Sequence, residues 1–177
     1  MGLVFNSRYF DCFENLKRRR KAPTMIVIHH TCTRSPADTR RVLKKKGYST
    51  HFEVDKDGEI YKYADEMDIC NHCGSCNCYA IGIDMTHMSG ADFPDKQFWA
   101  VCSLIDYLCE KWNIAREVHD KLDGIYTHRA VRDTVCPQNF PVDKLASFFD
   151  GDECDGEFSD DPKLEGLRGL AQREAHS

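Results

Sequence analysis

No stretch of this 177-residue chain approaches the ~20 consecutive apolar residues that a membrane-crossing helix requires, so insertion into a bilayer is not expected. A secretory leader is not evident either. Met1–Phe13 lacks an apolar core of adequate length, and its positive charges follow its apolar residues rather than precede them. Met-Gly at the start invites a myristoylation reading, but Asn6 stands where that signal carries Ser or Thr. A surplus of positive charge is missing as well. Lys and Arg number 24 against 29 Asp and Glu, a net charge of −5 that offers no global field to nucleic acid. No internal repeat is visible. The expectation is a protein made in a cytoplasm without a signal peptide.

What is present suffices for one core. The hydrophobic fraction of 41% is ordinary for a globular chain. The patterned part is long enough for a single domain of about 130–150 residues. The expected division is a leader over 1–23, a folded domain over 24–150 and an acidic, mobile tail over 151–177. Within the leader, Lys17-Arg18-Arg19-Arg20-Lys21 reads as a solvated face or an interaction tag.

Met25–His30 has the continuous apolar character of a buried strand, and Ala80–Met85 reads the same way. Ser35–Lys46 reads as a helix, with Ser35 as N-cap, Pro36 in the first turn and Gly47 as C-terminal cap. Asp55-Lys56-Asp57-Gly58 between His51–Val54 and Glu59–Tyr63 is a hairpin signal. Apolar residues from Phe98 to Trp112 recur at three- and four-residue steps, which marks an amphipathic helix with Cys102 and Cys109 on its buried stripe. Ile125–Thr127 reads as a short strand, Pro141–Phe149 as a short helix and Leu164–Glu174 as a marginal one. Strands alternating with helices imply an α/β fold: one domain, a central mixed sheet flanked by helices.

Two distant segments look like halves of one metal site. The strand at Met25 ends in His29-His30-Thr31, and a polar loop downstream carries His128 and Cys136. Two imidazoles and one thiolate make a three-ligand zinc site, and a fourth position left to water distinguishes catalytic from structural zinc. Ten cysteines is a high count for a chain with no sign of secretion, where thiols stay free or bind metal. Cys70 to Cys78 has the closeness of thiolate ligands, yet zinc ribbons usually separate two ligand pairs by a dozen residues or more. The favoured reading makes Cys73, Cys76 and Cys78 small loop residues. A second metal ion or a local disulfide is the alternative.

Ile28-His29-His30-Thr31, Thr50-His51-Phe52-Glu53-Val54-Asp55-Lys56-Asp57-Gly58, His72 to Asp84, and His128-Arg129 with Cys136-Pro137 stand in a telling order. In that order and spacing the chain resembles the zinc-dependent N-acetylmuramoyl-L-alanine amidases of type 2, which include phage lysozyme-like amidases and peptidoglycan-recognition proteins. The resemblance covers about Thr24–Phe149. It implies that His29, His128 and Cys136 bind one Zn2+ ion, and that Asp84 is the carboxylate that activates water. Here Asp stands where relatives carry Glu, shorter by one methylene. Thr134 matches a position whose side chain helps hold the developing oxyanion, where relatives often carry Lys. Thr50 falls where some relatives carry a catalytic Tyr and His72 matches a histidine near the substrate groove, so the resemblance implies that both contact substrate. His30, on the opposite face of its strand, and His51, next to Thr50, are expected to be structural or packing residues.

The implied function is zinc-dependent hydrolysis of the amide between N-acetylmuramic acid and L-alanine in peptidoglycan, with a phage-type endolysin as the favoured context. Such a lysin would act on the cell wall after release. The alternatives are a cytoplasmic amidase that recycles muropeptides, a toxin delivered into rival cells, and a non-catalytic peptidoglycan-binding module of the same fold. A zinc-knuckle nucleic-acid module on residues 70–78 and the Lys17–Lys21 run is disfavoured by the net acidity and the ligand spacing.

Overall fold

The central element is a five-stranded sheet in the order β4-β3-β6-β2-β7. It is built from β2 (Met25–His30), β3 (Phe52–Val54), β4 (Ile60–Lys62), β6 (Ala80–Met85) and β7 (Gly124–Thr127). A computed structural model describes residues 3–118 and 124–150, so the acidic tail with its expected helix at Leu164–Glu174 lies outside the described residues. Strands β3, β6, β2 and β7 are mutually parallel, and β4 returns antiparallel to β3 through the Asp55–Gly58 turn. The sheet is therefore mixed, as expected. Both faces of β2 and β6 are covered, which explains why their sequences run apolar rather than alternating.

The two faces have different jobs. Ile26, Ile28, Ile81, Ile83, Phe52 and Val54 point to one side and pack with Phe98, Val101, Ile105 and Leu108 of helix α2 (Asp95–Trp112). Complete burial of each such side chain is worth about 1.5–3 kcal/mol, so this layer dominates the stability. Cys102 and Cys109 are buried within it, as their helical spacing predicts. The other face carries a smaller apolar patch of Met25, Val27, Ala80, Tyr126 and Cys73. Beyond that patch, towards the carboxyl ends of the parallel strands, the residues turn polar.

Helix α1 (Pro36–Lys46) forms as its sequence predicts. The Ser35 hydroxyl accepts from the Asp38 amide, and Gly47 closes the helix in the left-handed conformation at φ 70°. Helix α4 (Val142–Asp150) buries Leu145 against the core, with Phe148 and Phe149 partly covered. The hairpin turn needs glycine for two reasons: Gly58 sits at φ 82°, and a Cβ there would stand 2.9 Å from the Lys96 carbonyl oxygen.

Residues 3–21 lie against the domain. Asn6 bridges to Tyr61, Phe5 contacts Phe52 and Tyr107, and Tyr9 stacks on Tyr61. Strand β1 (Lys17–Arg18) pairs antiparallel with β5 (Asp68–Ile69) as a separate two-stranded sheet. The basic run is not a uniform solvated face. Arg19 is buried, and its Nη2 donates to the carbonyls of Asp68 at 2.7 Å and Ala80 at 2.9 Å. A guanidinium with several donors can tie two strand ends together, which a five-residue charge count does not reveal.

His51 is fully buried and locked in one tautomer. Its Nδ1 accepts the Gly82 amide at 3.0 Å, and its Nε2 donates to the Asp68 carbonyl at 3.0 Å. Burial pushes its pKa down from 6.5 to about 3. The unfolded chain then binds this proton first, so stability is complete above about pH 6.5 and is lost as the pH falls from there towards 3. Unfolding free energy measured by urea titration should drop by about 1.4 kcal/mol per pH unit for each such proton. His51→Gln should flatten that slope by about one proton. An unchanged slope in the variant would show that His51 titrates like an exposed histidine.

Candidate metal centre and active site

Parallel strands put their carboxyl ends side by side, and in open α/β sheets that end is where ligands bind. Strand β2 delivers His29 there. Strand β6 delivers Asp84, whose backbone is the register partner of His29 on one side and of Glu53 on the other. Register partners in adjacent strands project to the same face, so His29, Asp84 and Glu53 form one row across the sheet. Strand β7 ends at Thr127, and the short helix α3 (His128–Val131) begins with His128. The loop after α3 is drawn back by the Arg129 amide, which donates to the Cys136 carbonyl at 2.8 Å.

One ligand atom each from His29, His128 and Cys136 lies within 4.8 Å of the others. No other group of three potential ligands forms among the described residues, the Cys70–Cys78 loop included. The local chemistry suits a cation. Nε2 of His128 is buried with no hydrogen-bond partner, and an unpaired buried nitrogen is costly unless something binds it. The His30 amide donates to Cys136 Sγ at 3.3 Å, an arrangement that favours a thiolate. Burial pushes the Cys136 thiol up to about 12, and the negative charge of Asp84 adds to the rise. A cation that takes this thiolate must therefore displace its proton. Burial also holds His29 well below the usual histidine range, with His72 and His128 adding to the effect, so its imidazole is neutral and competent to ligate.

The cluster borders a cavity of about 380 Å3, a volume suited to a small ligand. Asp84, His72, Thr134 and Arg132 also line it, as do Tyr48 and Lys46. Asp84 is almost fully buried, and burial together with the neighbouring Glu53 charge holds its carboxyl well above the usual aspartate range. Thr134 accepts the Cys136 amide on its hydroxyl oxygen at 3.3 Å, which leaves its own proton for another acceptor.

Thr50 is not brought to the cavity, so the substrate-contact expectation for it is corrected. It is fully buried, and its hydroxyl donates to the Gly82 carbonyl at 3.1 Å. Its small size fits that place beneath β6. His30 faces away from His29 as alternation requires, with Nε2 3.1 Å from Cys32 Sγ, yet its backbone amide serves the site through Cys136.

Glu53 has no counterpart in the sequence expectations. It is a fully buried carboxylate behind Asp84 that accepts from Thr39 at 2.6 Å, Thr86 at 2.5 Å and the Tyr63 hydroxyl. Thr39 Oγ1 lies 2.5 Å from Thr33 Oγ1, which lies 2.7 Å from Thr31 Oγ1, so a chain of hydroxyls joins Glu53 to the cavity wall. The sequence quotes Glu53 only as part of the Thr50–Gly58 motif and gives it no role. Only the strand order shows that it is covered.

The cysteine loop is folded by an asparagine. Asn77 Oδ1 accepts the amides of His72 at 3.1 Å and Cys73 at 2.8 Å around a single 3-10 turn at Gly74–Cys76. Cys70 and Cys73 are buried thiols, and Cys76 donates to the Cys73 carbonyl at 3.2 Å.

Fold and site together define a single α/β domain with a His-His-Cys cluster at the carboxyl ends of its parallel strands. Residues 19–139 match the family described as N-acetylmuramoyl-L-alanine amidase, and the chain belongs to that family. It is 25% identical over 136 residues to the amidase-family protein RC0497 of Rickettsia conorii, an alignment covering 70% of this chain and 51% of the relative. The chain thus spans about half the length of that curated relative. The solved endolysin N-acetylmuramoyl-L-alanine amidase LysCS from Clostridium intestinale superposes with a TM-score of 0.64 at 29% identity, covering 73% of this chain and 85% of that one. A single-residue mutant of the Drosophila protein PGRP-LB, solved in complex with tracheal cytotoxin, shares the fold with a TM-score of 0.59 at 20% identity, over 80% of this chain and 88% of its own. Among the described residues no helix is long and apolar enough to cross a membrane.

Proposed function

We propose that this chain is a zinc-dependent N-acetylmuramoyl-L-alanine amidase that cleaves the lactyl–alanine amide of peptidoglycan or of its soluble fragments, in the manner of a phage-type endolysin. The convergence of His29, His128 and Cys136 beside the buried Asp84 carries the reading. These residues would hold one Zn2+ ion. When bound, the ion supplies Lewis acidity to the scissile carbonyl and acidifies water.

The rest falls to side chains of the chain itself. Asp84, shielded from bulk water, accepts the proton of the attacking water and returns it to the departing alanine nitrogen. Its raised proton affinity suits it to both transfers. Thr134 donates its free hydroxyl proton to the oxygen on which charge develops. The His30 amide keeps Cys136 Sγ in place. The lysin context is supported by the likeness to LysCS, whose own name joins endolysin and amidase.

Metal content of the chain purified without added metal, with mass spectrometry of digested peptidoglycan, tests the proposal. One zinc per chain and free stem peptides beginning at L-alanine are expected. Wall binding without zinc or cleavage would instead make the chain a recognition module. Cleavage of soluble muropeptides but not of intact wall would move it from lysis to recycling.

A further inference from the structure

His72 makes a close contact with the metal cluster without belonging to it. Its Nδ1 lies 3.0 Å from His29 Nε2, with the two rings nearly perpendicular at 83°. The ligand cluster nevertheless contains only His29, His128 and Cys136. The position of His72 is built from both sides. Asn77 holds its backbone amide, and its ring rests on the bare backbone of Gly82. A Cβ at residue 82 would stand 2.8 Å from His72 Nδ1 and 2.9 Å from its Cγ, so only glycine leaves room for this ring. That gives the Ile-Gly-Ile-Asp strand a reason for its glycine that is not conformational.

Proton positions follow from the partners. A neutral imidazole has one donor nitrogen and one acceptor nitrogen. His29 Nε2 and His72 Nδ1 stand 3.0 Å apart, so a single hydrogen lies between the two rings and one of them donates it. A His29 that offers one nitrogen to a cation carries its proton on the other, and the nitrogen turned towards His72 is Nε2, so His72 is the acceptor. Nδ1 is then bare, and the hydrogen between the two rings belongs to His29 Nε2. With Nε2 protonated, the lone pair of His29 sits on Nδ1.

We propose that His72 is a positioning residue for the metal centre: it accepts the Nε2 proton of His29, fixes that tautomer and ring orientation, and leaves Nδ1 as the metal-binding atom. The inference rests on the metal reading of the cluster given above. Partners of this kind, placed behind a ligating histidine, typically change metal affinity by roughly 10–100-fold when removed.

The test uses the full chain and Zn2+ alone. Competition with a chromophoric chelator gives the affinity of the unmodified protein, His72→Phe and His72→Asn. Phenylalanine keeps a ring on Gly82 but accepts nothing. Asparagine places Oδ1 close to the position of Nδ1. Zn2+ binding should weaken roughly 10–100-fold in His72→Phe and be largely restored in His72→Asn. Long-range 1H–15N spectra of the metal-free, unmodified protein should show His29 protonated at Nε2, a readout that survives even if His72→Phe fails to fold. A proton on Nδ1 of His29, equal affinity in His72→Phe, or loss of a nitrogen ligand from the Zn2+ shell by X-ray absorption in that variant would overturn the proposal. An unmodified protein that binds no Zn2+ defeats the metal reading instead, while the tautomer is still measured.

Discussion

Replacing Cys136 with serine is expected to remove bound zinc and amide hydrolysis together. The loss of turnover should exceed the roughly 10²–10³-fold that follows removal of one electrostatic donor, because the group that polarises the carbonyl goes with the ligand. A serine hydroxyl stays protonated where a thiolate can be stabilised, so the variant offers two imidazoles and a neutral oxygen. The fold should survive. Cys136 is held by its backbone, through the Arg129 amide, and its side chain accepts only one amide, that of His30. Metal analysis, turnover of purified peptidoglycan and a thermal melt on one preparation check all three parts. Full activity with zinc retained would mean that another residue completes the site.

Much of this site was legible in the sequence, and the reasons are local. His29 and Asp84 end apolar strands, and His128 and Cys136 occupy a short polar loop, so residue type and position in an element point to chemistry directly. The helix caps at Ser35 and Gly47 and the turn at Asp55–Gly58 are signals contained within a few residues. What the sequence concealed depends on strand order. Glu53 has no role assigned from the sequence, and with β6 placed beside β3 it is a buried carboxylate under three hydroxyls. Thr50 is a substrate-site expectation only through the resemblance, as the place where some relatives carry a catalytic Tyr, yet the turn of the chain buries it beneath Gly82. Arg19 is hidden in a run of like charges, although it alone of Lys17–Lys21 is buried. In each case the deciding contact is with a residue more than 30 positions away or with a strand that is not a neighbour in sequence.

Asp84→Asn is expected to keep about one zinc per chain while lowering turnover by roughly 10²–10⁴-fold, the usual contribution of a positioned general base. The metal should remain because Asp84 is not among the three ligand residues. Turnover should fall because an amide accepts no proton. Stability should move the other way. Burial and Glu53 hold the Asp84 carboxyl well above the ordinary aspartate value. A carboxyl whose folded pKa is raised costs stability once the pH exceeds the unfolded value, and the cost grows until the pH passes the folded one. Neutral asparagine carries no such cost, so the metal-free variant should melt higher than the metal-free unmodified protein at neutral pH. At a pH below the usual aspartate range both proteins are uncharged at this position, and the difference should shrink. Undiminished turnover in Asp84→Asn would remove this residue from the mechanism. A variant that loses activity and also melts lower would make Asp84 a structural carboxylate whose charge the fold requires.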